Sequence, residues 1–169
     1  PYVIIKYKLT LSSTIVEPVV EPSIERMYPP VRNFTTANFT VSEQEYGIGL
    51  YNVTYSSTYG ILNTVDYSPF KCFNESDNIG GSWAVDQYTN GTYDGTSNIT
   101  SSYNGEWLKI KLPVPIKLTR YNFLQRTELQ SYINRSPKDF KIYGSNDNTI
   151  WTMLTEKSTN LSALNKIVF

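Results

Sequence analysis

Short stretches in which apolar and polar residues alternate, separated by Gly, Asn, Ser and Pro, restrict the fold of this chain more than any other feature. Every second side chain is apolar over much of LYNVTYSS (residues 50–57), and Leu108, Ile110 and Leu112 alternate with Trp107 and lysines in GEWLKIKLP. A period of two is typical of a half-buried β-strand, whereas no stretch has a long helical period. The pattern predicts an all-β fold, an antiparallel β-sandwich of the jelly-roll type with few and short helices.

Two later segments extend this strand pattern. DFKIYGSNDNTIWTML, which begins at residue 139, predicts a hairpin whose turn covers residues 144–148. IKLTRYNFLQR changes its apolar parity midway, which predicts a bulge near Thr119–Arg120. The expected core lies between two sheets and contains Leu108, Ile110, Leu112, Phe140, Ile142 and Trp151.

The chain is expected to divide into an arm and one domain. Pro18 and Pro22 interrupt the segment that follows the first apolar stretch, and proline discourages both helix and regular sheet pairing. Residues 1–26 are therefore predicted to form an N-terminal strand and an extended arm, with a frayed terminus as the alternative. Residues 27–169 are predicted to form one jelly-roll domain, long enough to bury its own core.

Missing residue types limit the function. The sequence contains no histidine, which excludes Ser-His-Asp triads, Cys-His dyads and His-ligated zinc. Its single cysteine, Cys72, excludes an internal disulfide and a Cys-rich metal site. No spacing of carboxylates nominates a catalytic pair among Asp86, Asp94 and Glu106. The chain is therefore predicted not to be an enzyme.

Charge argues against two classes of partner. The 15 basic and 15 acidic side chains cancel, so neither nucleic acid nor an anionic membrane surface is expected to attract the protein. No apolar run approaches the roughly 20 residues that a membrane helix needs. The charges are uneven along the chain, however, because residues 1–105 hold 5 basic and 10 acidic side chains, and residues 106–169 hold 10 and 5.

A polar stretch over residues 74–105 is predicted to be a long loop. It is rich in Tyr, Ser, Gly and Asn, which combine rigid aromatic faces with adaptable hydrogen bonding. A loop of this length inside a compact domain is often functional. The stretch is thus a candidate recognition loop, and a solvated loop without a ligand is the alternative.

The order of these segments resembles a known family. The strand W-L-K-I-K-L at 107–112 is followed by F-K-I-Y-G-S-N-D-N-T-I-W at 140–151, with Arg126 closing the strand between them, and MYPPV and YGIGLYNVTYSS precede both. The combination is similar to a discoidin-like module, the coagulation-factor five/eight type C domain of the galactose-binding-like superfamily. The YPP opening resembles versions found in large DNA viruses. The family closes with one or two further strands after NKIVF, so these are expected to be missing or to come from elsewhere.

The resemblance implies an eight-stranded jelly roll that binds ligands rather than catalysing a reaction. Trp83, Trp107 and Trp151 match structural aromatic positions of the family, so they are predicted to pack. A jelly roll can bring the loops 86–104 and 126–136 to one rim, where tyrosine offers apolar area and arginine offers paired donors. The candidate ligand-binding residues are Tyr88, Tyr93, Tyr103, Arg126, Tyr132 and Arg135.

One segment resembles a metal loop of the family. FNESDNIGG is similar to the loop in which some members hold a structural calcium ion, with Asn74 and Asp77 as candidate ligands. Calcium needs six or more oxygens, so the backbone would have to supply most of them. No other cofactor is expected.

Eight Asn-x-Ser/Thr sequons occur, where about three would be expected by chance from the Asn, Ser and Thr content. An exterior glycoprotein explains this excess, and an AT-rich genome explains it equally. The candidate glycosylation sites are Asn33, Asn38, Asn52, Asn74, Asn90, Asn98, Asn134 and Asn160.

These observations lead to one main hypothesis and two alternatives. The main hypothesis is a non-enzymatic binding or structural module on a virion or cell exterior, which packs against neighbouring capsid or surface proteins or attaches to host glycans. The first alternative is a carbohydrate-binding module of a larger secreted glycan-active enzyme. The second is an architectural capsid protein without a ligand.

Overall fold

The computed structural model describes residues 26–62, 65–74, 81–100, 103–123, 137, 139–158 and 167–168. Short 3-10 turns at Gln44–Tyr46 and Pro69–Phe73 are the principal helical elements of these residues. The prediction of an all-β chain is confirmed. The strands are β1 (Asn38–Val41), β2 (Gly49–Tyr55), β3 (Ile61–Leu62), β4 (Val65–Asp66), β5 (Tyr88–Thr89), β6 (Thr92–Tyr93), β7 (Asn98–Thr100), β8 (Tyr103–Asn104), β9 (Leu108–Lys111), β10 (Asn122–Phe123), β11 (Asp139–Gly144), β12 (Thr152–Ser158) and β13 (Ile167–Val168).

The largest sheet has the order β1-β2-β9, and both pairings are antiparallel. Phe39 of β1 lies opposite Tyr51, and Val53 lies opposite Ile110 of β9. Because side chains alternate between the faces of a strand, this register puts the apolar residues of all three strands on one face, except Leu50, which lies opposite Thr40 on the exposed face. The alternation predicted for β2 and β9 is therefore confirmed. Five other strand pairs form separate two-stranded sheets.

The hydrophobic core lies on that face of the sheet. Its buried members among the described residues are Phe34, Val41, Tyr51 and Val53. The Phe34 ring lies 4.1 Å from that of Phe39, and Phe39 stacks on Tyr51 at 5.2 Å between ring centroids. The 3-10 turn Pro69–Phe73 contacts β2 and contributes the buried Pro69.

The predicted core was largely wrong. Its six members are all half-buried: Leu108, Ile110, Leu112, Phe140, Ile142 and Trp151. Among the described residues, β9 is an outer strand of its sheet, and β11 and β12 pair only with each other. Side chains on such strands have neighbours on one flank and keep part of their surface in solvent.

The hairpin predicted after residue 139 is confirmed, but its turn covers residues 145–151 and not 144–148. Strands β11 and β12 pair antiparallel, and a register shift between Ile142 and Tyr143 marks a bulge. The turn holds itself together, because the Asp147 carboxylate accepts the N–H groups of Thr149 (2.9 Å) and Ile150 (2.8 Å). The Ser145 hydroxyl also donates to this carboxylate, at 3.0 Å.

Two other predictions were wrong. No strand forms over residues 112–121, so the bulge expected near Thr119–Arg120 does not exist. A strand pairs through its N–H groups, and Pro113 and Pro115 have none to offer. The polar stretch expected to be one long loop instead contains two hairpins, β5–β6 and β7–β8.

Two predictions concern residues outside the described part of the chain. Residues 1–25, which hold nearly all of the expected arm, lie outside it. The predicted rim loop 126–136 also lies outside it, although Pro137, which follows the loop, is described. Within the described residues, no helix is both long enough and apolar enough to cross a membrane.

Candidate functional site

The two hairpins of the polar stretch bring three of the predicted ligand-binding tyrosines together. Tyr88 lies directly opposite Tyr93 in the β5–β6 register, with ring centroids 5.3 Å apart and a tilt of 53°. Tyr88 is linked to the β7–β8 hairpin as well, because its hydroxyl accepts the N–H of Glu106, three residues after Tyr103 of β8, at 3.4 Å. We call Tyr88, Tyr93 and Tyr103 the tyrosine cluster.

The β5–β6 hairpin depends on its Asn-Gly turn. Asn90 and Gly91 have φ angles of 51° and 79°, which are left-handed at both positions. Consecutive left-handed residues define the two-residue turn that matches the twist of a tight hairpin, and Asn-Gly is its preferred sequence. The Thr89 hydroxyl donates to the Asp94 carboxylate at 2.5 Å and ties the two strands together beside the turn.

Tyr93 is the fixed member of the cluster. Its hydroxyl donates to the Ser97 carbonyl at 3.1 Å and accepts the Ser97 N–H at 3.0 Å. A Cβ atom at Gly95 would lie 2.5 Å from this hydroxyl, so only glycine permits the approach. The ring of Tyr93 therefore has little rotational freedom.

Tyr88 is the exposed member. Its side chain is 45 % exposed, and its hydroxyl accepts the Glu106 N–H at 3.4 Å. One part of the ring contacts Tyr93 while another faces solvent. A ligand can thus reach an aromatic ring whose position is already set by its neighbours.

Tyr103 connects the cluster to the β11–β12 hairpin. Its hydroxyl donates to the Asp139 carbonyl at 3.4 Å, and the Lys141 ammonium lies 5.6 Å from its ring centroid. Burial is the main cause that raises the pKa of the Tyr103 hydroxyl. Lys141 in turn pairs with Glu156 at 3.1 Å, so its charge is largely balanced.

A hydrogen-bonded carboxylate lies beside the cluster. The Ser56 and Ser57 hydroxyls both donate to Glu106 Oε2, the second at 2.8 Å. The Ser56 hydroxyl also accepts the Trp107 N–H at 2.8 Å. In the sequence, Glu106 is one of three carboxylates without a catalytic spacing, and no local motif marks it as the partner of residues about fifty positions earlier.

Three exposed carboxylates accompany the cluster among the described residues. Asp86 and Asp94 flank the β5–β6 hairpin in sequence, and Asp139 is the residue whose carbonyl accepts the Tyr103 hydroxyl. Among the described residues, no group of three or more acidic or cysteine side chains is arranged to hold a metal ion.

The tryptophans lie in packing contacts. The Lys109 ammonium sits between Trp107 and Trp151, at 5.7 and 6.0 Å from their ring centroids. It also donates to Asn148 Oδ1 at 2.8 Å, which anchors the β11–β12 turn against β9. The Trp83 indole donates to the Ser57 carbonyl at 2.9 Å. All three rings are half-buried.

The remaining predicted site residues are less informative. The Asn74 side chain is engaged within the protein, because its Oδ1 accepts the Phe34 N–H at 2.9 Å. Its amide nitrogen donates to Asn33 at 3.1 Å. The other candidates lie outside the described residues: Asp77, Arg126, Tyr132, Asn134, Arg135 and Asn160.

Comparison of the chain with protein-family models, with curated proteins and with solved structures found no match.

Proposed function

We propose that the protein is a non-enzymatic binding module of a virion or cell exterior, and that it attaches to glycans through the tyrosine cluster. The observation that carries this proposal is the exposed ring of Tyr88 backed by a fixed Tyr93, 5.3 Å between centroids. The flat apolar face of an aromatic ring complements the C–H face of a pyranose, and nearby hydroxyls and carboxylates complement sugar hydroxyls.

Preorganisation supports this reading. Binding costs free energy when side chains must be ordered, at about 0.5–1.5 kcal/mol for each flexible one. Tyr93 is already ordered by two hydrogen bonds to Ser97, and Tyr88 by its contacts with Tyr93 and the Glu106 N–H. A ligand that stacks on Tyr88 therefore pays little of this cost.

The charge distribution favours a neutral sugar. Asp86 and Asp94 are exposed and flank the hairpin that presents Tyr88, and Lys141 is paired with Glu156. A sialylated or sulfated glycan would meet carboxylates of its own sign, while Lys141, the cation that the described residues place over the Tyr103 ring, is already engaged by Glu156. We therefore expect neutral glycans to bind more tightly than acidic ones.

We also propose the discoidin-like jelly roll as the fold. The S-N-D segment of the motif has a physical role that supports this, since Ser145 and Asp147 cap their own turn. Trp151, which ends the motif, lies over Lys109 of β9. The two halves of the sequence motif are thus in contact with each other. The absence of histidine from the chain supports binding rather than catalysis.

Tyr88→Ala tests the proposal on an array of neutral and sialylated glycans. We expect the loss of one aromatic anchor to weaken binding of the best neutral glycan by about 1–2 kcal/mol, roughly tenfold, with an unchanged melting temperature. Tyr59→Ala is the matched control, because Tyr59 is 44 % exposed and contacts a different ring, Tyr67.

Full glycan binding by Tyr88→Ala would contradict the proposal. The proposal would also be contradicted if no glycan on the array bound the protein while neighbouring surface proteins of the same particle did bind it. That second result would support the packing role instead.

A further inference from the structure

The sequons within the described residues differ in how their asparagine side chains are held. N-glycans attach to the Nδ2 atom of asparagine in an Asn-x-Ser/Thr sequence, and the sugar must remain in solvent once the chain has folded. A side chain whose Nδ2 donates within the protein is therefore a worse carrier than one that projects freely.

Asn90 is the least restrained of these asparagines. It lies at the tip of the β5–β6 hairpin, and Asn90, Gly91 and Thr92 are all exposed. No described residue hydrogen-bonds to its side chain. A Cβ atom placed on Gly91 would meet nothing within 4 Å, which shows how open the tip is.

Asn52 is restrained by a neighbouring sequon. It lies directly opposite Asn38 across β1 and β2, and its Nδ2 donates to Asn38 Oδ1 at 2.7 Å. Directly opposed residues of an antiparallel pair have Cα atoms only about 4.5–5.5 Å apart. A sugar on Asn52 would therefore lie against the Asn38 side chain and remove one of the two N–H donors.

Asn74 is restrained more strongly. Its Nδ2 donates to Asn33, also a sequon residue, at 3.1 Å, and its Oδ1 holds the Phe34 N–H at 2.9 Å. Phe34 is 2 % exposed and belongs to the core. Moving the Asn74 carboxamide to accommodate a sugar would leave the N–H of a core residue without its partner.

We infer that Asn90 is an N-glycan attachment site of the folded protein and that Asn52 and Asn74 carry no glycan in it. The inference rests on the proposed exterior function only for its biological setting, since glycans are added to chains that enter the secretory pathway. The hairpin that presents Tyr88 would then also carry a sugar at its tip.

The test expresses the full chain behind a secretion signal in mammalian cells and recovers the folded, secreted protein. Treatment with peptide N-glycosidase in ¹⁸O-labelled water converts each glycosylated asparagine to labelled aspartate, which peptide mass spectrometry locates. Spontaneous deamidation, to which an Asn-Gly sequence is prone, also takes up oxygen from the labelled water, so a parallel incubation without the enzyme measures it and is subtracted. We expect label at Asn90 and none at Asn52 or Asn74.

Thr92→Ala and Thr92→Ser form the matched pair of variants. The first destroys the Asn90 sequon and should remove one glycan from the chain, and the second keeps the sequon and should retain it. If Thr92→Ala is not secreted, mapping of the glycosylated sites in the chain without substitutions decides alone. Unlabelled Asn90 in the secreted protein, or label at Asn52 or Asn74, would overturn the inference.

Because secretion is imposed by the added signal, the outcome does not depend on whether the tyrosine cluster binds a glycan. Failure of the array experiment with Tyr88 and failure of site mapping are therefore separate results.

Discussion

Replacement of Tyr51 tests how the core supports the fold. Tyr51 is fully buried at 0 % exposure, stacks on Phe39, and donates its hydroxyl to the Tyr46 carbonyl at 2.7 Å. Tyr51→Ala removes a complete buried ring, which typically lowers the free energy of unfolding by about 3–5 kcal/mol. Tyr51→Phe removes only the hydroxyl and leaves the Tyr46 carbonyl without this donor, at a cost of about 1 kcal/mol.

Tyr55→Phe is the matched control for the hydroxyl. Tyr55 is on the same strand and the same face four residues later, but it is 38 % exposed. Its loss of a hydroxyl should change the free energy of unfolding by less than about 0.5 kcal/mol. Urea unfolding at neutral pH, followed by tryptophan fluorescence, measures all three variants on one scale.

Unfolding at alkaline pH tests the burial of Tyr51 in a second way. Burial raises the pKa of the Tyr51 hydroxyl above its usual value near 10. Because the folded-state pKa is higher than the unfolded one, the associated stability is complete below pH 10 and falls as the pH rises through the folded pKa. Tyr51→Phe should remove this part of the alkaline loss. The reasoning fails if Tyr51→Phe and Tyr55→Phe are equally stable, or if Tyr51→Ala costs less than about 1 kcal/mol.

Two further perturbations address the turns. Hydrogen bonds from the N–H groups of Ile150 and Thr149 are the main cause that holds the pKa of Asp147 well below its usual range. The Asp147 carboxylate therefore stabilises the folded protein above the unfolded-state pKa, and this stabilisation is lost as the pH falls through the folded-state pKa. Asp147→Asn should flatten the decline of the melting temperature below about pH 4, and an unchanged acid profile would refute this. Gly47→Ala and Gly60→Ala both place a side chain at positive φ (76° and 70°), but only at Gly47 would the Cβ lie 2.5 Å from Val114. Urea unfolding should show about 1–2 kcal/mol lost at Gly60 and about 1–3 kcal/mol more at Gly47, and equal losses would contradict the packing argument.

The strands of the sheet could be predicted because their signal is local. Alternation along residues 50–57 and 107–112 requires only that one face of each strand be apolar, and the register then pairs Val53 with Ile110 as that pattern demands. The β11–β12 hairpin could also be predicted from the sequence, because hydrogen bonds of Ser145 and Asp147 close its turn locally.

The structure of the polar stretch, residues 74–105, could be predicted only in part. Its tyrosines marked the candidate site, but the Asn90–Gly91 turn, which the sequence displays, was not recognised as the centre of a hairpin. The contact between Tyr88 and Tyr93 follows directly from that turn.

The sequence by itself determined the all-β class, the exclusion of histidine chemistry and the residues that can form strands, since each depends on residue type and on neighbours in the chain. Only the tertiary structure decided which apolar residues are buried. Phe34, outside any strand, packs at 4.1 Å from Phe39 and enters the core, whereas Leu108 and Ile142 stay half-buried. Burial depends on what covers a side chain from distant parts of the sequence, and local periodicity does not contain that information. The bonds from Ser56 and Ser57 to Glu106 beside the tyrosine cluster arise in the same way, from the pairing of β2 with β9.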